Sequence, residues 1–170
     1  MQKERFIFRT IRQDEAEQAA VIERICFPPN EACSRDMMIA RVTGVPELFL
    51  VAEDRETGKL AGFLTGLATH EASFRDEFFS EADLHDPNGK NVMILGLNVI
   101  PAYRGRGLAR ELMREYFRMA FENGRERMIL TCLPSKIKMY ERMGFRDEGI
   151  SGSTWGGEQW HEMSCVVKAG

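Results

Sequence analysis

The spacing of hydrophobic positions changes period several times along the chain, and each change marks an element. Phe6 to Ile11 reads as an opening strand. From Asp14 the period lengthens: Ala19, Ile22 and Cys26 recur at three- and four-residue spacing, which predicts an amphipathic helix to about Ile25. Asp14-x-x-Glu17 reads as its capping box, with Asp14 as the cap. Phe27-Pro28-Pro29-Asn30 breaks that helix, and Ser34 can cap a second one over Arg35 to Val42, ended by Gly44 and Pro46. Leu48 to Glu53 and Leu60 to Ala68 flank the polar turn Asp54-Arg55-Glu56-Thr57-Gly58-Lys59 and predict a hairpin.

Residues 69–90 are irregular, with a short helix expected over Phe74 to Phe79 and a turn at Pro87-Asn88-Gly89. Asn91 to Ile100 is the most apolar strand and is expected at the centre of a sheet. Leu108 to Asn123 is an amphipathic helix with Leu108, Leu112, Phe117 and Ala120 facing inward and Gly124 beyond its end. A strand at Met128 to Cys132, a short helix over Ser135 to Met143, and two last strands at Phe145 to Ile150 and Trp160 to Val167 complete the pattern. Between the last two lies Ser151-Gly152-Ser153-Thr154-Trp155-Gly156-Gly157. No internal repeat or linker interrupts the chain, so residues 1–170 are expected to form a single α/β domain.

Composition narrows the function classes. Of 170 residues, 44% are hydrophobic and 29% charged, which excludes wholesale disorder and low-complexity scaffolds. Lys+Arg is 23 against Asp+Glu 26, a net charge of −3 with a pI near 5.7, which argues against a nucleic-acid binder. The opening residues MQKERFIFRTIRQDE lack an apolar h-region, and no apolar run reaches membrane-span length. A cytoplasmic protein without a membrane partner is expected, as a monomer or homodimer. Cys26, Cys33, Cys132 and Cys165 form no C-x-x-C pair, and His70, His85 and His161 are not at ligand spacing. Four free, mostly structural thiols and no metal follow as expectations.

Candidate chemistry concentrates in Leu97-Asn98-Val99-Ile100-Pro101-Ala102-Tyr103-Arg104-Gly105-Arg106-Gly107-Leu108-Ala109. A buried strand, a basic glycine-rich loop and a helix start make an anion site, because free main-chain N–H groups at a helix N-terminus carry partial positive charge. Gly105 and Gly107 let an oxyanion approach the main chain, and Arg104 and Arg106 add charge. The expected ligand is a phosphate or pyrophosphate. The same glycines would equally serve a plain strand-to-helix turn with solvated arginines. The P-loop pattern is absent, and Arg110 stands where a dinucleotide fingerprint needs a small residue.

Arg104-x-x-Gly107-x-Ala109 after a hydrophobic strand resembles the acyl-CoA-binding signature of the GNAT superfamily of N-acetyltransferases. Downstream, Tyr140-Glu141-Arg142-Met143-Gly144-Phe145 resembles that superfamily's tyrosine-to-Gly-Phe segment. Cys26 to Ser34, Pro46-Glu47-Leu48, Leu84-His85-Asp86-Pro87-Asn88-Gly89 and Glu162-Met163-Ser164-Cys165 look like the branch that contains serotonin (arylalkylamine) N-acetyltransferase. The resemblance implies a mixed sheet of six or seven strands flanked by about four helices. Its two central parallel strands, here 92–100 and 127–132, splay apart around the pantetheine arm. It implies that acetyl-CoA is the co-substrate, held by main-chain groups of Leu97, Asn98 and Val99 and by the loop Arg104, Gly105, Arg106, Gly107, Leu108 and Ala109.

The implied reaction is direct attack by a primary amine on the thioester in a ternary complex. A protein or peptide N-acetyltransferase and a non-catalytic acyl-CoA-binding domain are the alternatives. Tyr140 matches the tyrosine that protonates the leaving thiolate, a task suited to a phenol of pKa ~10. The vertebrate serotonin enzyme carries two histidines where this chain has Met93 and Leu95, so a histidine proton path is not expected. Glu31 matches a glutamate that the insect branch uses as base; a cation-attracting or plain surface carboxylate is the other reading. His70, Asp83 and His85 could line the substrate mouth. Phe27, Pro28, Trp155 and Trp160 are candidates for an apolar wall, although both tryptophans would also suit a core.

Overall fold

Seven strands form one open mixed sheet in the computed structural model, which describes residues 5–167. They are β1 (Phe6–Thr10), β2 (Phe49–Asp54), β3 (Leu60–Thr69), β4 (Asn91–Val99), β5 (Arg127–Cys132), β6 (Arg146–Ile150) and β7 (His161–Val166), in the spatial order β1-β2-β3-β4-β5-β7-β6. The helices are α1 (Ala16–Cys26), α2 (Arg35–Gly44), α3 (Glu77–Ser80), α4 (Leu108–Glu122) and α5 (Ile137–Arg142). The expected hairpin is present, with β2 and β3 antiparallel. Among the described residues no helix is long and apolar enough to cross a membrane.

Two-residue alternation sorts the sheet's side chains onto two faces. In β2, Leu50 and Ala52 join the core beneath α4, whereas Phe49 and Val51 join the core beneath α1 and α2. The α4 face is built by Leu108, Leu112, Met113, Tyr116 and Ala120, with Phe117 only half-buried. The buried stripe thus runs through Tyr116, whose hydroxyl donates to the Leu48 carbonyl at 2.9 Å.

The start of α1 differs from the expected capping box. Residues Gln13–Glu15 first form a single 3-10 turn, and the Glu15 carboxylate accepts from the Arg12 main-chain N–H at 2.9 Å. Glu15 therefore closes the box in place of Glu17, and Asp14 caps nothing. Glu17 faces outward to pair with Arg35. Ser34 caps α2 as expected, accepting from Met37 N at 3.2 Å.

The feature that positions a site is where β4 and β5 separate. They pair in parallel over Asn91–Arg127, Val92–Met128 and Met93–Ile129 only. Beyond Met93 each keeps its outer antiparallel partner, β3 for β4 and β7 for β5. Register against β3 also slips there: Ile94 faces Gly66 and Gly96 faces Thr65, so Leu95 is an extra residue in β4. A bulge bends its strand and raises the local twist, and here it bends β4 at the point where the neighbouring strand is lost.

Candidate active site

The splayed strands open a cavity of about 480 Å³. The outer half of β4 lines one side, the end of β5 the other, and the segments after α1 and after β6 close over it. The expected cofactor positions divide into three groups. Leu97, Val99, Arg104 and Ala109 line the cavity. Gly105, Arg106 and Gly107 lie exposed in the loop beyond it. The side chains of Asn98 and Leu108 turn into the interior, 1% exposed each, so only their main chains could meet a ligand.

On the β4 side the main chain has no strand partner toward the gap beyond Met93. Ile100 donates its N–H to Ala61 on β3, which leaves the Val99 carbonyl on the opposite edge. Arg104 Nε holds that carbonyl at 2.8 Å, and Cys26 Sγ contacts it at 3.4 Å. By the two-residue period Leu97 presents its main chain to the same edge. The loop then delivers α4 end-on. Gly107 is its N-cap at φ 81°, in the left-handed region, and no side chain caps the helix. Gly105 shares that conformation at φ 79°. A strand edge for amides, an uncapped helix start and Arg104 beside it fit an acyl-CoA, with its amide-bearing arm in the gap and its phosphates on the loop.

Tyr140 lines the cavity from α5, next to Cys132 at the end of β5. Its ring meets Phe145 edge-on at 5.9 Å, and Gly144 between them ends the helix with a positive φ. Among the described residues no side chain or carbonyl engages its hydroxyl. Burial, with a smaller contribution from Cys132, pushes the phenol above its ordinary range, so it is protonated at neutral pH. The same burial pushes the Cys132 thiol up to about 11.

Glu31 also lines the cavity. Desolvation, reinforced by Glu158, raises its carboxyl above the usual range. Phe27, Pro28, Trp155 and Trp160 line it as the expected wall; Trp160 is also buried, and Trp155 also packs against the core beneath α1 and α2. Trp155 donates Nε1–H to the Glu31 carbonyl at 2.9 Å, and Trp160 donates to the Trp155 carbonyl at 2.8 Å. Gly156, at φ 65°, packs so closely on Asn30 that a Cβ would lie 2.4 Å from its carbonyl oxygen.

Three expected mouth residues are elsewhere. His70 is half-exposed and pairs with Asp86 at 3.4 Å. His85 is fixed as a structural imidazole: Nδ1 accepts from Ala68 N at 3.0 Å and Nε2 meets Glu47 at 2.8 Å. Neither these two nor Asp83 lines the cavity. The thiols depart from expectation in the other direction. All four are free, but Cys26, Cys33 and Cys132 line the cavity.

The residue that sequence reasoning missed is Glu23. It is 2% exposed, lines the cavity from α1, and accepts from Asn98 Nδ2 at 2.8 Å and from Cys33 N at 2.9 Å. Its signal was present: Glu23 falls on the same helix face as Ala19, Ile22 and Cys26, a charge inside an apolar stripe. Arg41 repeats the pattern on α2. It is buried among Met38 and Val42, with Nη2 on Cys33 Sγ at 3.0 Å and on the Phe79 carbonyl at 2.9 Å.

The site is thus a bulged, splayed parallel pair with a basic glycine loop at one end and a tyrosine across the gap. A sequence model of the acetyltransferase (GNAT) family matches residues 11–145, and the chain belongs to that family. No curated protein matches the sequence significantly. In fold, the chain is similar to the loading GNATL domain of CurA from Lyngbya majuscula, at 14% identity and TM-score 0.83, over 95% of this chain and 98% of that one. It is similar to the ribosomal-protein alanine N-acetyltransferase of Escherichia coli, at 17% identity and TM-score 0.69, over 97% and 96% of the two chains. It is also similar to an acetyltransferase of Salmonella typhimurium solved with acetyl-CoA, at 17% identity and TM-score 0.65, over 96% and 94%. Identities this low carry the fold, and they single out no acceptor.

Proposed function

We propose that the protein transfers the acetyl group of acetyl-CoA to a small primary amine by direct attack. An arylalkylamine, or another amine with an apolar body, is the acceptor the site suits best. The observation that carries this reading is the cavity itself. A protonated tyrosine and a carboxylate of raised pKa face one space, walled by aromatic side chains and adjoining an anion-binding loop.

Acetyl-CoA supplies the electrophilic acyl carbon and a thiolate leaving group. Arg104 and the start of α4 hold the phosphates, and the free edge of β4 at Leu97 and Val99 aligns the amide-bearing arm. An alkylamine arrives largely as its ammonium ion, and Glu31 takes one proton from it. A carboxyl raised by desolvation is a better base than an ordinary one near pKa ~4.3, because its proton affinity lies closer to working pH. The neutral nitrogen then forms the C–N bond, the C–S bond breaks, and Tyr140 gives its phenolic proton to sulfur. Solvent returns a proton to Tyr140 as the nitrogen sheds its own.

The wall formed by Phe27, Pro28, Trp155 and Trp160 favours a small amine over a polypeptide. Asn30 bonds the Gly156 carbonyl at 3.0 Å and so links the two loops that carry that wall.

Initial-rate kinetics with varied acetyl-CoA and amine, together with the intact mass of the protein after acetyl-CoA alone, test the reading. Intersecting lines and an unmodified protein are expected. Parallel lines with an acetylated cysteine would replace direct transfer by an acyl-enzyme. Binding without acyl transfer to any amine would leave a ligand-binding domain.

A further inference from the structure

Phe79 lines the cavity from α3, a segment that carries neither the phosphate loop nor a group of the proton traffic. Its ring lies against Trp155, with centroids 4.6 Å apart and planes inclined by 32°, and against Phe74 at 5.1 Å. Separations of this size are those of favourable aromatic pairs. Trp155 is in turn bonded through Nε1–H to the Glu31 carbonyl. Phe79 thus belongs to the half of the cavity that holds Glu31 and its aromatic wall.

The main chain that carries this ring is fixed at two points. The Phe79 carbonyl accepts from Arg41 Nη2 at 2.9 Å, and Arg41 is 1% exposed. Asp76, just before α3, accepts from the Ser153 hydroxyl and from Thr154 N at 3.2 Å, in the loop that carries Trp155. The ring itself is hydrocarbon. It ties no loop by a hydrogen bond, unlike the indoles of Trp155 and Trp160. It is half-buried and packs on both cores of the sheet. Its size can therefore change while the attachments of α3 persist. Space in an apolar pocket is read in methylene-sized steps, each changing discrimination between two substrates by about 10- to 200-fold.

We propose that Phe79 determines the size of amine that the site accepts: its ring, held against Trp155, limits the space open to the acceptor's apolar body. This rests on the acyl-transfer reading of the same cavity. A smaller residue at 79 opens that space to a bulkier body and leaves a small one loosely held. A larger residue does the reverse.

Phe79→Leu and Phe79→Trp test the proposal together, assayed with a graded series of alkylamine, single-ring arylalkylamine and fused-ring arylalkylamine. Both variants are expected to keep the thermal shift that free CoA gives the wild type. In Phe79→Leu, kcat/KM for the fused-ring amine relative to the single-ring amine should rise at least about tenfold. In Phe79→Trp the same ratio should fall. A merely structural role would lower kcat/KM for every amine alike. Ratios unchanged in both variants, or moved in the same direction by both, would overturn the proposal. So would a loss that tracks weakened CoA binding, which would put Phe79 against the cofactor's arm. Wild-type protein that acetylates no amine at all would overturn the acyl-transfer reading itself, and the assignment of Phe79 with it.

Discussion

Two hydroxyl- or carboxyl-bearing side chains carry opposite halves of the proposed proton traffic, and they can be separated one atom at a time. Tyr140→Phe removes only the phenolic hydroxyl. Turnover is expected to fall roughly ten- to several-hundred-fold, at or below the usual general-acid contribution, while acetyl-CoA binding survives. Steady-state rates together with a binding isotherm check both halves, and wild-type turnover with rate-limiting chemistry would remove Tyr140 from the reaction. Glu31→Gln keeps the shape of the base and deletes its proton affinity. Its activity at neutral pH should drop more than about tenfold and recover in part at high pH, where the amine arrives neutral. A rise in KM with retained kcat would instead make Glu31 a binding group. Glu158 raises the Glu31 carboxyl by like charge. Removing that charge in Glu158→Gln lowers the Glu31 pKa, so the acid limb of kcat/KM against pH should move to lower pH. That Tyr140 and Glu31 face the cavity was legible in the sequence through the segments that carry the family resemblance. Glu23 was not, because a single polar residue inside an apolar stripe reveals its partner only after α1 has packed on β4.

At the scale of elements, the loop between β4 and α4 and its tether to β2 can be perturbed without touching the reacting atoms. Gly107→Val places a β-branched side chain at φ 81°, a conformation that costs of order 1–3 kcal/mol and tilts the helix start. The folded variant is expected to lose the thermal stabilisation that acetyl-CoA gives the wild type. An undiminished shift would remove the loop from the ligand site. The tether is Tyr103, whose hydroxyl donates to Asp54 at 2.5 Å at the end of β2. Hydrogen bonds from Arg5 and then Tyr103 hold the Asp54 carboxyl down at about 2. An unfolded aspartate titrates near ~3.9. The stabilisation from Asp54 is therefore complete above about pH 4 and fades as pH falls through about 2. Tyr103→Phe should raise the Asp54 pKa and move the acid-unfolding midpoint upward, measured by far-UV circular dichroism. The strands and main helices were readable from periodicity, since a strand or helix must show one face to a core. The separation of β4 from β5 was expected only through resemblance, because neither strand's own pattern encodes where its neighbour leaves it. The His85 position misled for a related reason. A histidine in an irregular segment looks available, yet its two nitrogens are consumed by Ala68 and Glu47.

Across the whole molecule, a parallel junction three residue pairs long joins β1-β2-β3-β4 to β5-β7-β6. A ligand that bridges the gap beyond that junction binds the folded state alone and must stabilise it by mass action, by about 2.7 kcal/mol at a hundredfold excess over Kd. Free CoA and acetyl-CoA should therefore both raise Tm in proportion to the logarithm of concentration, which differential scanning fluorimetry reads directly. The central claim is that this gap brings an acyl thioester against an amine. Release of free CoA thiol from acetyl-CoA, followed while primary amines with aromatic or alkyl bodies are titrated in, tests it most directly. Thiol release that saturates with amine, matches acetyl-amine formed mole for mole and collapses in Tyr140→Phe is the expected result. Thiol release indifferent to every amine, from a protein that still binds acetyl-CoA, would contradict it.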